Sequence, residues 1–447
     1  MESKNKIVQN LIYLSIPTMI EQVLSTLLQY VDTAMVGHLG EEATAAVSVT
    51  TTIGWLVGSL MYAIGIALLS LMSQAVGRGD HEEIKRMASQ AVYLVVGAGV
   101  ILGTISLVLA PYIPVWMGAA ENVQGPATTY FVIISIPMIF RAATTIFGAT
   151  IRATLDTKTP MYVNLVANIV NVVLDYLLIY VVGLGVTGAA IATAITHVTA
   201  GCAMFAVFRK KKELHFKWKE AKFDAHVMKK ISTIAIPSIG TDLTATLGYV
   251  FFAGMVSSMG TTIFAAHSIA VEAETLFYIP GYGLRTATSA MTGVAIGEEN
   301  IKKLRTVMKA SILMTVGLMA VSGCILYFLA YPMMRVFTSS DAVATLGAQM
   351  LKLVAFSEPF FGLMVVCQGL FYGMGRTKNV FAVEAFSMWG IRILFTYLTV
   401  NVWHLGLRQV WYCMIADNVC KATLLSISLL IVWKKGKWKS AVANKEN

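Results

Sequence analysis

Apolar stretches follow one another along almost the whole chain, broken by short clusters of charge, and nearly every stretch reaches the ~20 residues that a bilayer-spanning helix needs. The pattern predicts twelve helices at roughly 10–37, 43–73, 86–115, 124–152, 159–183, 187–208, 229–257, 263–296, 307–334, 345–372, 378–403 and 409–433. The fold class expected is therefore an all-α polytopic membrane protein. The first apolar run reaches Glu21 and Asp32 and has no small-residue cleavage site, so it reads as a retained first helix.

Sliding the chain along itself exposes an internal repeat at a shift of 220 residues. Pro17 meets Pro237, Gly40 meets Gly260, Tyr62 meets Tyr282, Gly77 meets Gly297, and Thr157-Lys158 meets Thr377-Lys378. Chance apolar matching does not hold Gly, Pro and loop Lys in one register over such a distance. Two pseudo-symmetric six-helix lobes follow, 1–208 and 229–447, joined by a linker at 209–228. An even number of helices per lobe makes the repeat parallel, with a central cleft expected between the halves.

Composition agrees with the pattern. Hydrophobic residues make up 57% of the 447 positions and charged ones 13%, and the mean hydropathy is +0.70. A net charge of +10 would suit a nucleic-acid binder, but the cations sit in alternate loops: Arg78, Lys85 and Arg86; Arg152 and Lys158; the run from Arg209 to Lys230; Lys302, Lys303 and Arg305; Arg376 and Lys378; and Lys434, Lys435, Lys437 and Lys439. That distribution is a topology signal placing both termini and the linker in the cytoplasm, and no nucleic-acid partner is expected. The five cysteines lie in apolar segments without C-x-x-C spacing, and no phosphate loop, H-E-x-x-H or G-x-S-x-G motif is present, which argues against ATP hydrolysis and enzymatic chemistry.

Ionisable groups inside spanning helices are costly and so point to function. In helix 1, Gln22, Ser25, Gln29 and Asp32 recur at spacings of three and four; in helix 5, Asn168, Asn171 and Asp175 do the same. Two carboxylates with amide oxygens suit a proton or a cation. At the 220 shift Asp32 meets Phe252, Asn171 meets Ile391 and Asp175 meets Phe395, so the second half lacks them and a specialised role is expected. The second half has its own charges at Asp242, Glu272, Glu274, Arg285, Glu358, Glu384, Arg392, Asp417 and Lys421. Asp417 and Lys421 stand one turn apart and are expected to neutralise each other, whereas Glu274, Tyr278 and Arg285 line one face of helix 8 and are candidates for a substrate cleft. Pro17 lies mid-helix, where helix 1 can bend.

The segments LSIPTMIEQVLSTLLQYVDTAMVGHLG, LMSQAVGRGD, RATLDTKTP and NIVNVVLDYLLI followed by GLGVTGAAIATAI, with FAAHSIAVEAETLFYIPGYGL and GLFYGMGRTK in the second half, resemble the MATE family of multidrug and toxic compound extrusion transporters, in its prokaryotic branch. The resemblance implies a monomeric, cofactor-free antiporter in the cell membrane that exports amphipathic or cationic small molecules for H+ or Na+ by alternating access. It implies an ion-coupling site at Asp32, Asn171, Asp175 and Thr193, where Na+ is the metal that would bind. The polar stripes of helices 1 and 5 place Gln22, Gln29 and Asn168 in the expected substrate cleft, and the resemblance matches Pro17 to the helix 1 bend. A second-lobe ion site of some relatives falls on Ala245 and Phe361 here, so that site is not expected. The alternative reading is a lipid-linked saccharide flippase of the same superfamily, which would need a basic cleft.

Overall fold

The computed structural model describes residues 4–436 and 438, all helix, turn or loop; the predicted cytoplasmic Lys437 and Lys439 lie outside the described residues. Helix 1 runs Lys4–Gly37, helix 2 Glu41–Arg78, helix 3 His81–Leu109, helix 6 Gly185–Lys210, helix 7 Ala225–Ser257, helix 8 Thr261–Gly297, helix 9 Ile301–Phe337 and helix 12 Leu407–Lys434. Helix 4 is broken into Glu121–Ser135 and Met138–Ala153, and helix 10 into Asp341–Ala355 and Glu358–Gly373. Helix 5 runs Lys158–Tyr176 and ends in a π turn, Leu177–Val181; helix 11 starts as Thr377–Ser387, opens into a π turn at Met388–Ile393, and ends in a second at Leu398–Val402. Nine of these twelve segments are long and apolar enough to span as single helices, and the two broken ones qualify as bent pairs. Helix 8 carries Glu272, Glu274 and Arg285 in its interior and does not meet that test of length and apolarity.

The repeat reappears as backbone geometry. Helices 3 and 9 are capped 220 residues apart: the Asp80 carboxylate accepts from the Glu83 amide at 2.9 Å, and the Asn300 side chain accepts from the Lys303 amide at 3.0 Å. Positive φ angles pair as Gly40 with Gly260, Gly79 with Glu299 and Leu155 with Gly375. The breaks in helices 4 and 10, bent by 52° and 57°, are also 220 apart. These breaks correct the expectation of continuous helices over 124–152 and 345–372. Their cause is Pro137 and Pro359, which lack the amide that an unbroken ladder requires.

Beyond the π turn at Met388–Ile393 the register changes. The terminal π turns of helices 5 and 11 are 221 apart, and so are the positive φ residues Gly183 and His404. A π turn absorbs one extra residue, and helix 5 has no counterpart to this one. The gapless alignment of Asp175 with Phe395 is therefore corrected: its structural counterpart is Thr396, fully buried with its hydroxyl unpartnered.

By packing, the chain divides into two compact units, one comprising Ile20–Ala235 and the other the residues up to Met19 together with those from Ile236 onward. The first turns of helix 1 thus count with the second-half unit, where the Thr18 hydroxyl donates to the Gly283 carbonyl at 2.9 Å. Helix 1 stays helical through Pro17. In each unit the buried apolar side chains are mostly Ala, Leu, Val, Ile and Met with a few aromatics, Phe131 and Phe147 in one and Phe371 and Trp411 in the other. Large apolar residues also face outward along the helices, among them Val96, Val100, Ile101, Ile105 and Val108 on helix 3, the distribution of a protein whose solvent is lipid.

Candidate functional site

Helices 1 and 5 are zipped together at one constant offset. The Asn164 amide donates to the Glu21 carboxylate at 2.5 Å and the Asn168 amide donates to the Ser25 hydroxyl at 3.0 Å, both across 143 residues. The same offset brings the Asp32 and Asp175 carboxyls within hydrogen-bonding reach of each other. Glu21 also accepts from Arg152 at 2.6 Å. The recurring positions Glu21, Ser25, Asp32 and Asn164, Asn168, Asp175 are the inward faces of two parallel helices. Glu21 and Asn164 escape a reading centred on Asp32 and Asp175, yet their spacing continues both stripes by one turn.

Three of the four oxygens of the acid pair meet no hydrogen-bond donor among the described residues. Asp175 is fully buried with neither carboxyl oxygen hydrogen-bonded to a donor, and Asp32 Oδ1 and Asn171 Nδ2 are likewise unpartnered. Buried polar atoms left in this state are costly. Two carboxylates facing each other hold a shared proton or a cation between them, because like charges at this range repel. Thr193 on helix 6 lies beside the phenol of Tyr130, a helix 4 residue that faces both carboxylates. Arg141, also on helix 4, donates to the Gly54 carbonyl at 2.8 Å and faces both Tyr130 and His197. The four positions Asp32, Asn171, Asp175 and Thr193 are therefore gathered around one polar cluster, which sequence reasoning drew without Tyr130. Gln22 and Gln29 are exposed instead of sharing the face that Ser25 and Asp32 turn to helix 5.

In the other unit, Glu274 is buried on helix 8 and faces both Glu358 and Arg392. Tyr278 and Thr275 share a hydrogen bond at 2.9 Å, and Tyr278, Tyr282 and Phe361 pack with ring centroids 5.0 to 5.9 Å apart. The Arg285 guanidinium lies 4.5 Å from the Tyr282 ring and donates to Gln368 at 3.3 Å. Asp242 faces Arg285. The aromatic trio offers faces on which a cation can sit.

The remaining charges form one buried network. Lys421 bonds Glu384 at 2.6 Å and Asp417 at 3.0 Å, Arg392 bonds Asp417 at 2.9 Å, and the Ser387 hydroxyl donates to Asp417 at 2.6 Å. Asp417 and Lys421 neutralise each other as their spacing suggests, but with Glu384 and Arg392 as further members. His267 packs its ring edge-on against Phe252 and Trp411. Two cations thus meet two carboxylates here, whereas the Asp32–Asp175 pair has no ion-pair partner among the described residues. Among the described residues no three His, Cys, Asp or Glu side chains cluster as metal ligands, so a cation at the acid pair would draw on amide and hydroxyl oxygens.

The MatE family model matches residues 17–177 and 237–398, both halves of the repeat. The chain is 26% identical to the probable multidrug resistance protein NorM of Thermotoga maritima, over all of this chain and 96% of that protein. It is 26% identical to the probable multidrug resistance protein YpnP of Bacillus subtilis, over 98% and 97%. Among solved structures, a mutant of the Vibrio cholerae MATE transporter VcmN superposes with a TM-score of 0.92 at 18% identity, covering 98% of this chain and 99% of that one. At that identity the likeness speaks to the fold.

Proposed function

We propose, since this chain belongs to the MatE family and is an integral membrane transporter and not an enzyme, that it exports organic cations and related drugs in exchange for H+ or Na+ by alternating access. Printed names of relatives as multidrug resistance proteins support the substrate class. The observation that carries the coupling site is the Asp32–Asp175 pair, two facing carboxyls whose buried oxygens lack donors. Their direct approach favours a shared proton; Na+ is the second reading, with Asn171 and Thr193 lending oxygen ligands.

In this mechanism the acid pair takes up its ion from outside, drug affinity falls as the carboxylates are neutralised, and drug leaves. Helix 1 shifts about Pro17, and release of the ion inside resets the pair. Gln22, Gln29, Asn168, Glu274, Tyr278 and Arg285 are the residues proposed for the substrate cleft, with the Tyr278, Tyr282 and Phe361 rings offering faces to a positive charge. Ion and drug exclude each other at the same carboxylates, a reciprocal coupling. The protein works as a monomer of two six-helix lobes, 1–208 and 229–447, joined by the 209–228 linker, in the cell membrane with both termini cytoplasmic.

The test is efflux of a fluorescent organic cation from proteoliposomes under imposed pH or Na+ gradients. We expect one gradient to drive wild-type efflux, thereby naming the ion, and Asp32→Asn and Asp175→Asn each to abolish it with the protein still folded and inserted. Normal transport by both variants overturns the site. The flippase alternative predicts translocation of a lipid-linked saccharide and no gradient-driven cation efflux; its basic cleft is not supported by a polar cluster holding two carboxyls.

A further inference from the structure

The geometry points to a phosphate-binding site for the headgroup of an anionic phospholipid, in the cleft formed by the start of helix 3 and the linker that precedes helix 7. The cleft has a volume of about 610 Å³ and is walled by Lys85, Arg86 and Ser89 of helix 3 and by Lys222, Phe223 and His226 of the linker and helix 7. That size falls within the range of small-ligand pockets.

The site is held rigidly. The buried Gln90 side chain clamps the linker at two points, donating to the Lys222 carbonyl at 2.8 Å and accepting from the Asp224 amide at 3.0 Å. The Tyr93 hydroxyl adds a bond to the Ala221 carbonyl at 2.9 Å, and its ring meets Phe223 edge-on at 5.9 Å. The linker is therefore a fixed wall.

Charge within the cleft is in surplus for an anion. Its acidic members are Glu82 and Asp224. Glu82 pairs with Lys85 at 2.9 Å, and Asp224 spends one oxygen capping helix 7 through the His226 and Val227 amides. The other Asp224 oxygen stands 3.7 Å from Arg86, beyond hydrogen-bonding range, and the Arg86 side chain remains 61% exposed. Lys222 is exposed, with no ion pair among the described residues. A phosphodiester carries the single negative charge that Arg86 and Lys222 are placed to take.

Depth distinguishes a lipid from a soluble phosphate. Arg86, Ser89, Tyr93, Val96 and Val100 follow one another at spacings of three and four, a single face of helix 3. Tyr93, Val96 and Val100 are exposed, and the apolar surface continues through Ile101, Ile105 and Val108. Tyr93, with exposed Phe223 and Trp218, marks the aromatic belt of a bilayer boundary. Arg86 lies seven residues before Tyr93, about 10 Å along the axis, which is headgroup depth. This is the end of helix 3 that the Lys and Arg distribution assigns to the cytoplasm, the leaflet rich in anionic lipid. An acyl chain can lie along the apolar face while its phosphate enters the cleft.

The experiment is native mass spectrometry of the full-length protein in detergent, titrated with phosphatidylglycerol, phosphatidylcholine or glycerol 1-phosphate, alongside melting temperatures in each. Wild type should retain phosphatidylglycerol over phosphatidylcholine, and Arg86→Gln/Lys222→Gln should reduce that preference on the order of tenfold while melting as wild type does in phosphatidylcholine. Lys222→Gln alone, which changes an exposed side chain and leaves the Gln90 clamp intact, should move in the same direction. An undiminished preference in these variants overturns the site. Displacement of the lipid by glycerol 1-phosphate at equal concentration overturns the lipid as its occupant.

Discussion

Asp156 shows how one residue couples the linker to the helices. It follows helix 4, and its carboxylate accepts from Lys211 at 2.8 Å, from the Thr159 amide at 3.1 Å and from the Thr159 hydroxyl at 2.8 Å. Burial alone would raise its pKa, but these bonds outweigh that cost and hold it below the usual carboxylate value. A depressed folded pKa stabilises the protein above the unfolded value, and the gain is lost as pH falls through the folded one. Asp156→Asn should therefore lower the melting temperature at pH 7, with the gap from wild type closing below about pH 4; a gap independent of pH would refute the assignment. Asp32 and Asp175 were legible in the sequence because a carboxylate in an apolar run is conspicuous whatever its neighbours. Tyr130 was not, since an aromatic residue in a spanning helix looks the same whether it faces lipid or an acid pair.

Among the elements, helix 11 departs most from its counterpart. The extra residue at Met388–Ile393 is accommodated as a π turn that carries Arg392, which reaches Asp417 on helix 12. Breaking this buried network by Lys421→Met leaves Glu384 without its cation while Asp417 keeps Arg392, a loss of about 3–5 kcal/mol, measurable by thermal unfolding in detergent; adding Glu384→Gln should restore part of it. The junction of helices 5 and 6 is equally exacting. A Cβ on Gly188 would stand 2.7 Å from the Leu178 carbonyl oxygen, so Gly188→Ala should cost about 1–3 kcal/mol, and unchanged stability would mean that the backbone there can yield. Pro137 and Pro359 mark the breaks of helices 4 and 10, but a reading by hydropathy runs through a bend without interruption and gives both helices as continuous. The π turn had no such mark, because a single added residue leaves an apolar run apolar.

For the whole molecule, orientation is the first consequence to check. The cations at the ends of helices 2, 4, 6, 8, 10 and 12 predict that green fluorescent protein fused to the C-terminus glows in intact cells, whereas alkaline phosphatase fused there is inactive; the reverse pair of results would invert the topology. The all-helical fold class, the repeat and the two carboxylates could be read from the sequence by itself, because each rests on local quantities: the length of an apolar run, the spacing of polar residues at 3.6 per turn, identity at a fixed shift. Tertiary structure alone decided the offset of 143 that joins helix 1 to helix 5, the change of register from 220 to 221, the four-member network around Asp417, and the seating of the linker on Gln90. These depend on which helical faces meet, and a spanning sequence constrains that weakly, since lipid and protein interior are equally apolar and both accept the same side chains.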